Sequence, residues 1–260
     1  MKKIEPVSPA IEHDLTPRIR DFWTRRVNAE RIMGRDVTAH ERGEDGYFHD
    51  LETQRYRSHR HLLPWIHAMT PGKTVLEIGS GVGLDTYAMA KHGLQVTAVD
   101  LTDVGVATAR KRFLRHRMPA NFLATDACQL PFPQDSFDYV YSFGVLHHVA
   151  DTEKSVDEVR RVLKPGGEAR VMLYHRRSLN EMAHRILRVP FEERDELCPV
   201  VRRFTVNEAR DLFGAFSSVQ IRVEYLYGEG YGKLFQFTPR WLYDLLSARW
   251  GWHLMITSKK

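Results

Sequence analysis

Cysteine is scarce in this sequence, and its scarcity excludes two kinds of architecture. Cys128 and Cys198 are the only cysteines among the 260 residues. Two isolated thiols cannot build a disulfide framework, and their spacing matches no zinc site made of paired cysteines. A chain without disulfides is typical of a reducing compartment, and we therefore expect a cytoplasmic protein.

Long apolar runs are missing as well. Nowhere does the sequence show the roughly 18 consecutive uncharged apolar residues that a membrane-spanning helix needs. The N-terminal segment, MKKIEPVSPAIEHDL, starts with basic residues but lacks the apolar centre of a signal peptide. These absences predict a soluble protein without stable membrane insertion.

A strong excess of one charge is also absent. The formal net charge is +5, and the basic residues are scattered along the chain. Their densest cluster, Arg110 to Arg117, falls on a predicted helix whose outer face is solvated. We therefore expect no nucleic-acid partner. With 43% hydrophobic residues and no internal repeat, the chain is expected to form one large α/β domain with appendages.

Glycine, by contrast, is concentrated in one short segment that directly follows a predicted strand. A short apolar run, Thr74 to Ile78, is rich in β-branched residues and predicts a buried parallel strand. Gly79, Gly81 and Gly83 follow, and residues without a Cβ let the backbone adopt positive φ and lie against a ligand. A predicted helix and a second buried strand come next, and that strand ends at Asp100.

Such a unit predicts a site for a nucleotide-like ligand. The glycine backbone and the helix N-terminus hold the ligand, while a carboxylate at the end of the second strand binds a ribose hydroxyl pair. A dinucleotide site is expected to show G-x-G-x-x-G, whereas here the glycines run G-x-G-x-G, with Glu77 two residues before the first. Spacing alone therefore leaves open whether the ligand is a dinucleotide or another nucleotide-like molecule.

The segment Glu77 to Gly83, followed by Asp100, resembles the cofactor loop of the class I S-adenosylmethionine-dependent methyltransferases. Three later stretches resemble motifs of that family in the same order: Thr125 to Ala127, Phe137 to Ser142, and Leu163 to Gly167. The phrase SFGVLHHVAD, from Ser142 to Asp151, is similar to the subgroup that includes the ubiquinone and menaquinone C-methyltransferases and many small-molecule methyltransferases. The resemblance covers roughly residues 74–174.

This resemblance implies a fold and a domain organisation. We expect a Rossmann-like α/β sheet of seven strands with strand 7 antiparallel, a helical N-terminal cap and lid insertions. Residues 1–70 would form an arm and a cap over the cleft, with one helix at about residues 17–33 and a second at about 50–69. Residues 71–260 would form the methyltransferase domain, with lids at about 176–204 and 228–251.

The resemblance also implies the ligands. The methyl donor would be S-adenosylmethionine and the product S-adenosylhomocysteine, with no metal. Asp100 would bind the ribose, and Asp126 would accept a hydrogen bond from the adenine amine. The full set of implied cofactor-binding residues is Glu77, Gly79, Ser80, Gly81, Gly83, Asp100, Leu101, Asp126, Ala127, Ser142 and Phe143.

The acceptor is less constrained by the sequence. Methyl transfer from a sulfonium is a direct displacement, so the protein must align the reactants and exclude water. A hydroxyl acceptor benefits from a general base, whereas an amine or thiolate needs only orientation. The candidate catalytic residues are His147, His148, Tyr174 and His175. Tyr47, Arg57 and Tyr231 are candidates for contacting the substrate, and Arg25, Arg26 or Arg57 would meet an anionic group on it.

Two sequence motifs are absent, and their absence narrows the chemical class of the methyl acceptor. No Asn/Asp-Pro-Pro-Tyr/Phe motif follows the fourth strand, which argues against amino-group methylation of nucleic-acid bases or glutamine. Neither cysteine follows a proline, which disfavours arsenite methylation and cysteine-dependent cytosine chemistry. The leading hypothesis is methylation of an oxygen, nitrogen or carbon nucleophile on a small metabolite.

Three alternatives stay open. One is a quinone-type C-methyltransferase of cofactor biosynthesis, and another is a non-catalytic protein that binds S-adenosylmethionine. A nicotinamide dehydrogenase is the most distant, because Gly83 stands one residue too early for the dinucleotide fingerprint.

Overall fold

The structure is a computed structural model, and it describes residues 15–27, 30–32, 35–187, 198–228 and 231–260. Four predicted features therefore lie wholly or partly outside the described residues. They are the N-terminal arm at residues 1–14, residues 28–29 and 33 of the first predicted helix, residues 188–197 of the first predicted lid, and residues 229–230 of the second.

The described chain alternates helices and strands over most of its length. The helices are α1 (Leu15–Arg25), α2 (Asp45–Ser58), α3 (Leu62–His67), α4 (Leu84–Lys91), α5 (Asp103–Arg115), α6 (Thr152–Val162), α7 (Leu179–Leu187), α8 (Val206–Leu212), α9 (Lys233–Phe237) and α10 (Arg240–Trp250). The strands are β1 (Arg31–Ile32), β2 (Arg35–Asp36), β3 (Thr74–Ile78), β4 (Gln95–Asp100), β5 (Asn121–Ala124), β6 (Phe137–Phe143), β7 (Leu163–Tyr174), β8 (Ser218–Glu224) and β9 (His253–Lys259).

Seven of these strands form one sheet in the order β5-β4-β3-β6-β7-β9-β8. Strands β3 to β7 pair in parallel, and β9 is antiparallel to both of its neighbours, β7 and β8. The predicted fold class, a seven-stranded sheet with an antiparallel last strand, is confirmed. Because the parallel strands share one direction, their carboxyl ends meet at a single edge, where open α/β sheets bind ligands.

Apolar side chains cover both faces of the sheet, which explains why β3 is a nearly continuous buried run. Alternate residues of β3 serve opposite faces, so Leu76 packs in the layer with α6 and Val75 packs in the layer with α3 and α4. Val156, Val159 and Val162 of α6 are buried, at the spacing of one face of a helix. Burying one such side chain contributes roughly 1.5 to 3 kcal/mol. This packing fixes the strand ends that form the site.

The N-terminal region differs from the prediction. The first helix ends at Arg25, and the described residues 31–32, which were predicted to be helical, form strand β1 and pair with β2. The single helix predicted over residues 50–69 is two helices, α2 and α3. A continuous helix would need Pro64 to donate an N–H to the carbonyl of Arg60, and proline has no N–H. The break gives His59 a non-helical backbone.

Helix caps elsewhere agree with the sequence. The Thr205 side chain accepts a hydrogen bond from the Glu208 backbone N–H, and the Glu208 side chain accepts one from the Thr205 backbone N–H, which makes a capping box at the start of α8. Thr102 caps α5 and Asp151 caps α6 through side-chain acceptors. Among the helices that the structure describes, none combines the length and apolar character needed to cross a bilayer.

Candidate functional site

A cleft opens at the carboxyl edge of the sheet, around the turn between β3 and α4. Gly79 and Gly81 both have positive φ, at 78° and 52°. A Cβ on Gly79 would lie 2.1 Å from Cγ2 of Val145, whereas a Cβ on Gly81 would meet no atom within 4 Å. Both glycines line the cleft. The loop is thus closely packed at Gly79 and open toward the cavity at Gly81.

Asp100 at the end of β4 holds this loop in place. One of its oxygens, Oδ2, accepts a hydrogen bond from the Gly81 backbone at 2.8 Å. The other, Oδ1, accepts from the Thr102 backbone at 2.8 Å and from its hydroxyl at 2.7 Å. Burial raises the pKa of Asp100, and the Thr102 and Gly81 hydrogen bonds oppose that rise. Its carboxylate lines the cavity next to the glycine backbone.

Helix α1 covers the end of the cavity near Asp126. The Thr16 hydroxyl donates a hydrogen bond to Oδ2 of Asp126 at 3.2 Å, and Arg20 donates to the carbonyl of Leu101 at 3.2 Å. The Trp23 ring meets His148 edge-on, with 5.1 Å between ring centroids. Oδ1 of Asp126 accepts from the backbone of Cys128. These contacts bring the N-terminal helix against the ends of three strands.

Buried carboxylates lie on the other side of the glycine loop. Asp85, in the first turn of α4, accepts both edges of the Arg55 guanidinium at 2.8 and 2.5 Å. The hydroxyl groups of Tyr56 and Tyr141 also donate to Asp85, at 3.1 and 2.7 Å. Arg55 lies over the ring of Phe143, with 5.0 Å from Cζ to the centroid. Arg55, Asp85 and Phe143 all line the cavity.

Glu77 lies in the same region as Asp85, but its protonation state is different. Its Oε2 accepts a short hydrogen bond from the Thr86 hydroxyl. Burial, together with the neighbouring Asp85 charge, raises the pKa of Glu77 to about 8. Asp85 itself keeps a lowered pKa, because Arg55 and the tyrosine hydroxyls outweigh its burial. Near neutral pH, Asp85 is therefore ionised, whereas Glu77 holds a proton.

The two adjacent candidate histidines are placed differently. His148 lines the cavity, and its Nδ1 lies 2.7 Å from the carbonyl oxygen of Val200. A carbonyl oxygen cannot donate, so Nδ1 carries the hydrogen and the lone pair is on Nε2. His147 is fully buried behind it, with its ring 3.8 Å from the ring of Tyr174, and burial lowers its pKa well below the usual range.

The other two catalytic candidates lie further along the sheet edge. Tyr174 packs between His147 and Trp252, with 4.3 Å between its ring centroid and that of Trp252. His175 bonds through Nδ1 to the Gly251 carbonyl at 3.0 Å and faces a separate shallow depression that Arg177 and Trp250 also line. Of the four predicted catalytic residues, the described cavity lining contains His148.

Most of the predicted cofactor residues meet in this one cavity. Its lining includes Glu77, Gly79, Ser80, Gly81, Asp100, Leu101, Asp126, Ala127 and Phe143. Gly83 and Ser142 are outside the described lining. A Cβ on Gly83 would meet Ala109, and the Ser142 hydroxyl donates to the Ile78 carbonyl at 3.1 Å. These two residues support the loop and the strand rather than face the cavity.

The candidate substrate residues do not gather there. Tyr47 is buried among apolar side chains and donates its hydroxyl hydrogen bond to Glu30 at 2.6 Å, so its ring is part of the cap's core. Arg57 and Tyr231 are exposed, and Tyr231 packs against Tyr227. None of these three is in the described lining, and neither are Arg25 and Arg26.

The lining residues that the sequence did not assign to the site include Thr16, Trp23, Arg55 and Asp85. Asp85 had a usable signal, because a carboxylate in the first helical turn directly after a glycine loop is positioned at the ligand. The other three come from the cap, and only long-range packing brings them to the cleft. Among the described residues, no three His, Cys, Asp or Glu side chains are arranged to hold a metal ion.

The sheet order, the glycine loop and the carboxylates at successive strand ends match one family. Residues 76–171 fit a family model described as a methyltransferase domain. Residues 76–171 therefore form a methyltransferase domain. This confirms the resemblance predicted from the sequence, to the class I S-adenosylmethionine-dependent methyltransferases of the quinone-methyltransferase-like type.

Individual relatives of the methyltransferase domain differ in what they act on. A demethylmenaquinone methyltransferase of Clavibacter sepedonicus is 40% identical over 101 residues, which is 38% of this chain and 40% of that protein. Phosphoethanolamine N-methyltransferase 2 of Caenorhabditis elegans is 35% identical over 106 residues, or 40% of this chain and 24% of that protein. The matched segments thus span less than half of either relative.

A solved structure extends the likeness over more of the fold. Haemonchus contortus phosphoethanolamine N-methyltransferase 2, in complex with phosphomonomethylethanolamine and S-adenosylhomocysteine, superposes with a TM-score of 0.56. The alignment covers 77% of this chain and 52% of that one, at 22% sequence identity. At this identity the likeness shows the fold alone.

Proposed function

We propose that this protein transfers a methyl group from S-adenosylmethionine to a nucleophilic atom of a small molecule. One observation carries the proposal: a single cavity collects Glu77, Asp100 and Asp126 from three successive strand ends around the glycine loop. The names of the two curated relatives, which methylate a quinone precursor and a phosphorylated amine, support a small acceptor.

The residues of the cavity fit this ligand. The open face at Gly81 leaves room for a ligand against the backbone. The Asp100 carboxylate, already oriented by Gly81 and Thr102, would accept hydrogen bonds from the ribose hydroxyls. Asp126 would accept from the adenine amine in place of its contact with Thr16, and Ala127 would offer its backbone N–H. S-adenosylmethionine supplies an electrophilic methyl carbon on a sulfonium.

The chain's own residues would then orient the acceptor and receive its proton. An electron pair of the acceptor, a lone pair on oxygen or nitrogen or a π pair on carbon, would form the new bond to the methyl carbon, and the pair of the broken carbon–sulfur bond would stay on sulfur. Asp85 would provide an ionised carboxylate beside the loop, suited to the cationic ammonium of the methionyl end. If the acceptor is a hydroxyl compound, His148 would take the proton at Nε2.

Calorimetry and product analysis test this proposal. Purified protein is titrated with S-adenosylhomocysteine and, separately, with NADH, and we expect binding of S-adenosylhomocysteine at about −8 kcal/mol, the micromolar range. The protein is then incubated with labelled S-adenosylmethionine and a metabolite extract, followed by mass spectrometry of labelled products. NADH binding without S-adenosylhomocysteine binding would refute the cofactor. Cofactor binding without any labelled product would favour the non-catalytic alternative.

The labelled product also decides the acceptor atom. A carbon-methylated quinol would favour the quinone-type C-methyltransferase, which the demethylmenaquinone relative supports. An oxygen- or nitrogen-methylated product would favour the broader small-molecule reaction.

A further inference from the structure

The segment between β8 and β9 turns large apolar side chains toward the solvent. It contains α9 and α10, and four of its side chains are 56% to 76% exposed: Leu234, Phe237, Trp241 and Leu245. We refer to these four residues as the C-terminal apolar surface. Single exposed apolar residues are common, but a group of them on one segment marks an interaction site.

Helix α10 is apolar on two opposite sides. Its buried residues are Tyr243 and Ser247, and it packs on β8. At about 100° per residue, Trp241 and Leu245 fall on the side of the helix that points away from Tyr243. A surface helix of a globular protein normally carries polar residues on that side. The packing of the fold therefore does not account for the outward apolar side of α10.

The surface is also separate from the cofactor cavity. None of its four residues is in the described lining of that cavity. The segment that carries it begins after Glu224 and ends before His253, and these two residues are paired beside Tyr174, the last residue of β7. The segment is thus an insertion at the carboxyl edge of the sheet, and cofactor binding does not require its outward apolar side chains.

Basic residues border the surface at both of its ends. Lys233 stands directly before the first residue of the surface, and Arg249 stands one helical turn after the last. Arg240 is paired with Asp244, whereas no acidic side chain of the described residues pairs with Lys233 or Arg249. Arg249 also shares a shallow depression with Arg177. The border is therefore positively charged and complements an anionic partner.

Two observations favour a lipid bilayer over a second protein as this partner. Aromatic and aliphatic side chains that project from a helix with a basic border are the composition of a helix that lies in a membrane interface. A second copy of the chain in a two-fold interface would bring the same basic border against itself, and like charges repel. An anionic bilayer instead receives the projecting rings and attracts the border.

We propose that the C-terminal apolar surface is a reversible docking site for an anionic lipid bilayer. Phe237 and Trp241 enter the boundary between the headgroups and the acyl chains, while Lys233 and Arg249 stay at the level of the lipid phosphates. The proposal stands independently of the proposed methyl transfer, because none of these residues is in the described lining of the cofactor cavity.

Vesicle co-sedimentation of the full chain tests the proposal. The chain is mixed with vesicles of phosphatidylcholine alone, or of phosphatidylcholine and phosphatidylglycerol in equal parts, and the bound fraction is measured against lipid concentration. We expect the chain to bind the mixed vesicles about tenfold or more tightly than the neutral ones, because basic residues are attracted to an anionic surface. Binding to the mixed vesicles should weaken as the salt concentration rises.

Two variants separate the contributions of the rings and of the charges. Phe237→Ser/Trp241→Ser removes both rings and should weaken binding to the mixed vesicles about tenfold or more. Trp241→Phe alone should retain binding, because an aromatic ring is kept. Lys233→Gln/Arg249→Gln keeps the rings and should remove most of the preference for mixed over neutral vesicles.

A matched control removes two exposed apolar side chains elsewhere. Leu114 on α5 and Leu123 on β5 are 72% and 41% exposed, so Leu114→Ser/Leu123→Ser should bind the mixed vesicles like the native chain. Circular dichroism checks that each variant is folded. If the variant without both rings does not fold, Phe237→Gln replaces it, and it should weaken binding about tenfold.

The remaining outcomes each decide against the proposal. Equal binding of the native chain and the folded ring variant would overturn it, and so would failure of the native chain to bind the mixed vesicles. Equal affinity for both kinds of vesicle would overturn the assignment to anionic lipid. A native dimer in analytical ultracentrifugation that the ring variant converts to a monomer, without vesicle binding, would assign the surface to a second copy. All variants should bind S-adenosylhomocysteine like the native chain, so the proposed function is tested separately.

Discussion

Arg55 and Asp85 form a two-point ion pair 30 positions apart in the chain, with Nε to Oδ1 at 2.8 Å and Nη2 to Oδ2 at 2.5 Å. The pair links the cap helix α2 to the first turn of α4, directly behind the glycine loop. The exposed fractions of the two side chains are 16% and 2%, so both charges are largely shielded from water. The pair therefore ties α2 to the helix that follows the glycine loop.

Breaking this pair should destabilise the fold strongly. Asp85→Asn leaves the Arg55 charge buried without its counter-ion, and removing one partner of a buried pair costs about 3 to 5 kcal/mol. Denaturant unfolding measures the loss. The control is Asp244→Asn, since Asp244 pairs with Arg240 at the surface and such pairs contribute less than about 1 kcal/mol. Equal losses in the two variants would contradict the role assigned to Asp85.

Stability should fall as pH rises from about 5 to 8, because of Glu77. Burial, followed by the Asp85 charge, raises the pKa of Glu77 from 4.5 to about 8. Between these values the folded chain holds a proton that the unfolded chain releases, so the free energy of unfolding decreases with pH, by on the order of 1 kcal/mol per unit from this group. The contribution is fully present below the unfolded pKa.

Unfolding in denaturant across this pH range measures that slope. Glu77→Gln should flatten it, because glutamine does not titrate and its carbonyl can still accept from Thr86. Glu153→Gln, at an exposed position in the first turn of α6, is the control and should leave the slope unchanged. A native slope that survives in Glu77→Gln would assign the titration to another group.

Cofactor affinity should depend on Asp100. Asp100→Asn keeps the size of the side chain but removes its charge, and a hydrogen bond to a charged acceptor contributes roughly 1.5 to 3 kcal/mol. We expect S-adenosylhomocysteine binding to weaken more than tenfold by calorimetry. Asp103→Asn, an exposed position in the first turn of α5, should bind like the native chain. Unchanged affinity in Asp100→Asn would move the ribose contact to another residue.

Gly79 and Gly72 should respond differently to the same substitution. Both have positive φ, at 78° and 82°, so alanine at either position adopts a backbone that costs roughly 1 to 2 kcal/mol. A Cβ at Gly79 would also overlap Val145, whereas at Gly72 it meets no atom within 4 Å. Gly79→Ala should therefore lose about 1 to 3 kcal/mol more in denaturant unfolding.

A double variant identifies the source of that difference. Val145→Ala removes the methyl groups that the new Cβ would overlap, so adding it to Gly79→Ala should cost less than it does in the native chain. Additive losses would show that overlap with the Val145 methyl groups is not what destabilises Gly79→Ala.

Some of the site follows from adjacent residues alone. The β-branched run before Gly79 specifies a buried strand, and the glycines after it specify a turn that only residues without a Cβ adopt freely. The capping box at Thr205 is also determined by neighbouring residues, because all of its partners lie within four residues of one another. The break between α2 and α3 was also local, since Pro64 lacks the N–H that a continuous helix requires.

Other features depend on contacts between distant segments. The sequence determined that a glycine loop, Asp100 and Asp126 would follow successive strands, because strand direction carries their ends to one edge. Only the tertiary structure decided which of two adjacent histidines faces the cavity, since the turn after β6 sets their directions. It also decided that Arg55 would meet Asp85 and that His59, Tyr225 and His253 would stack, because these residues come from separate elements and no local period relates them.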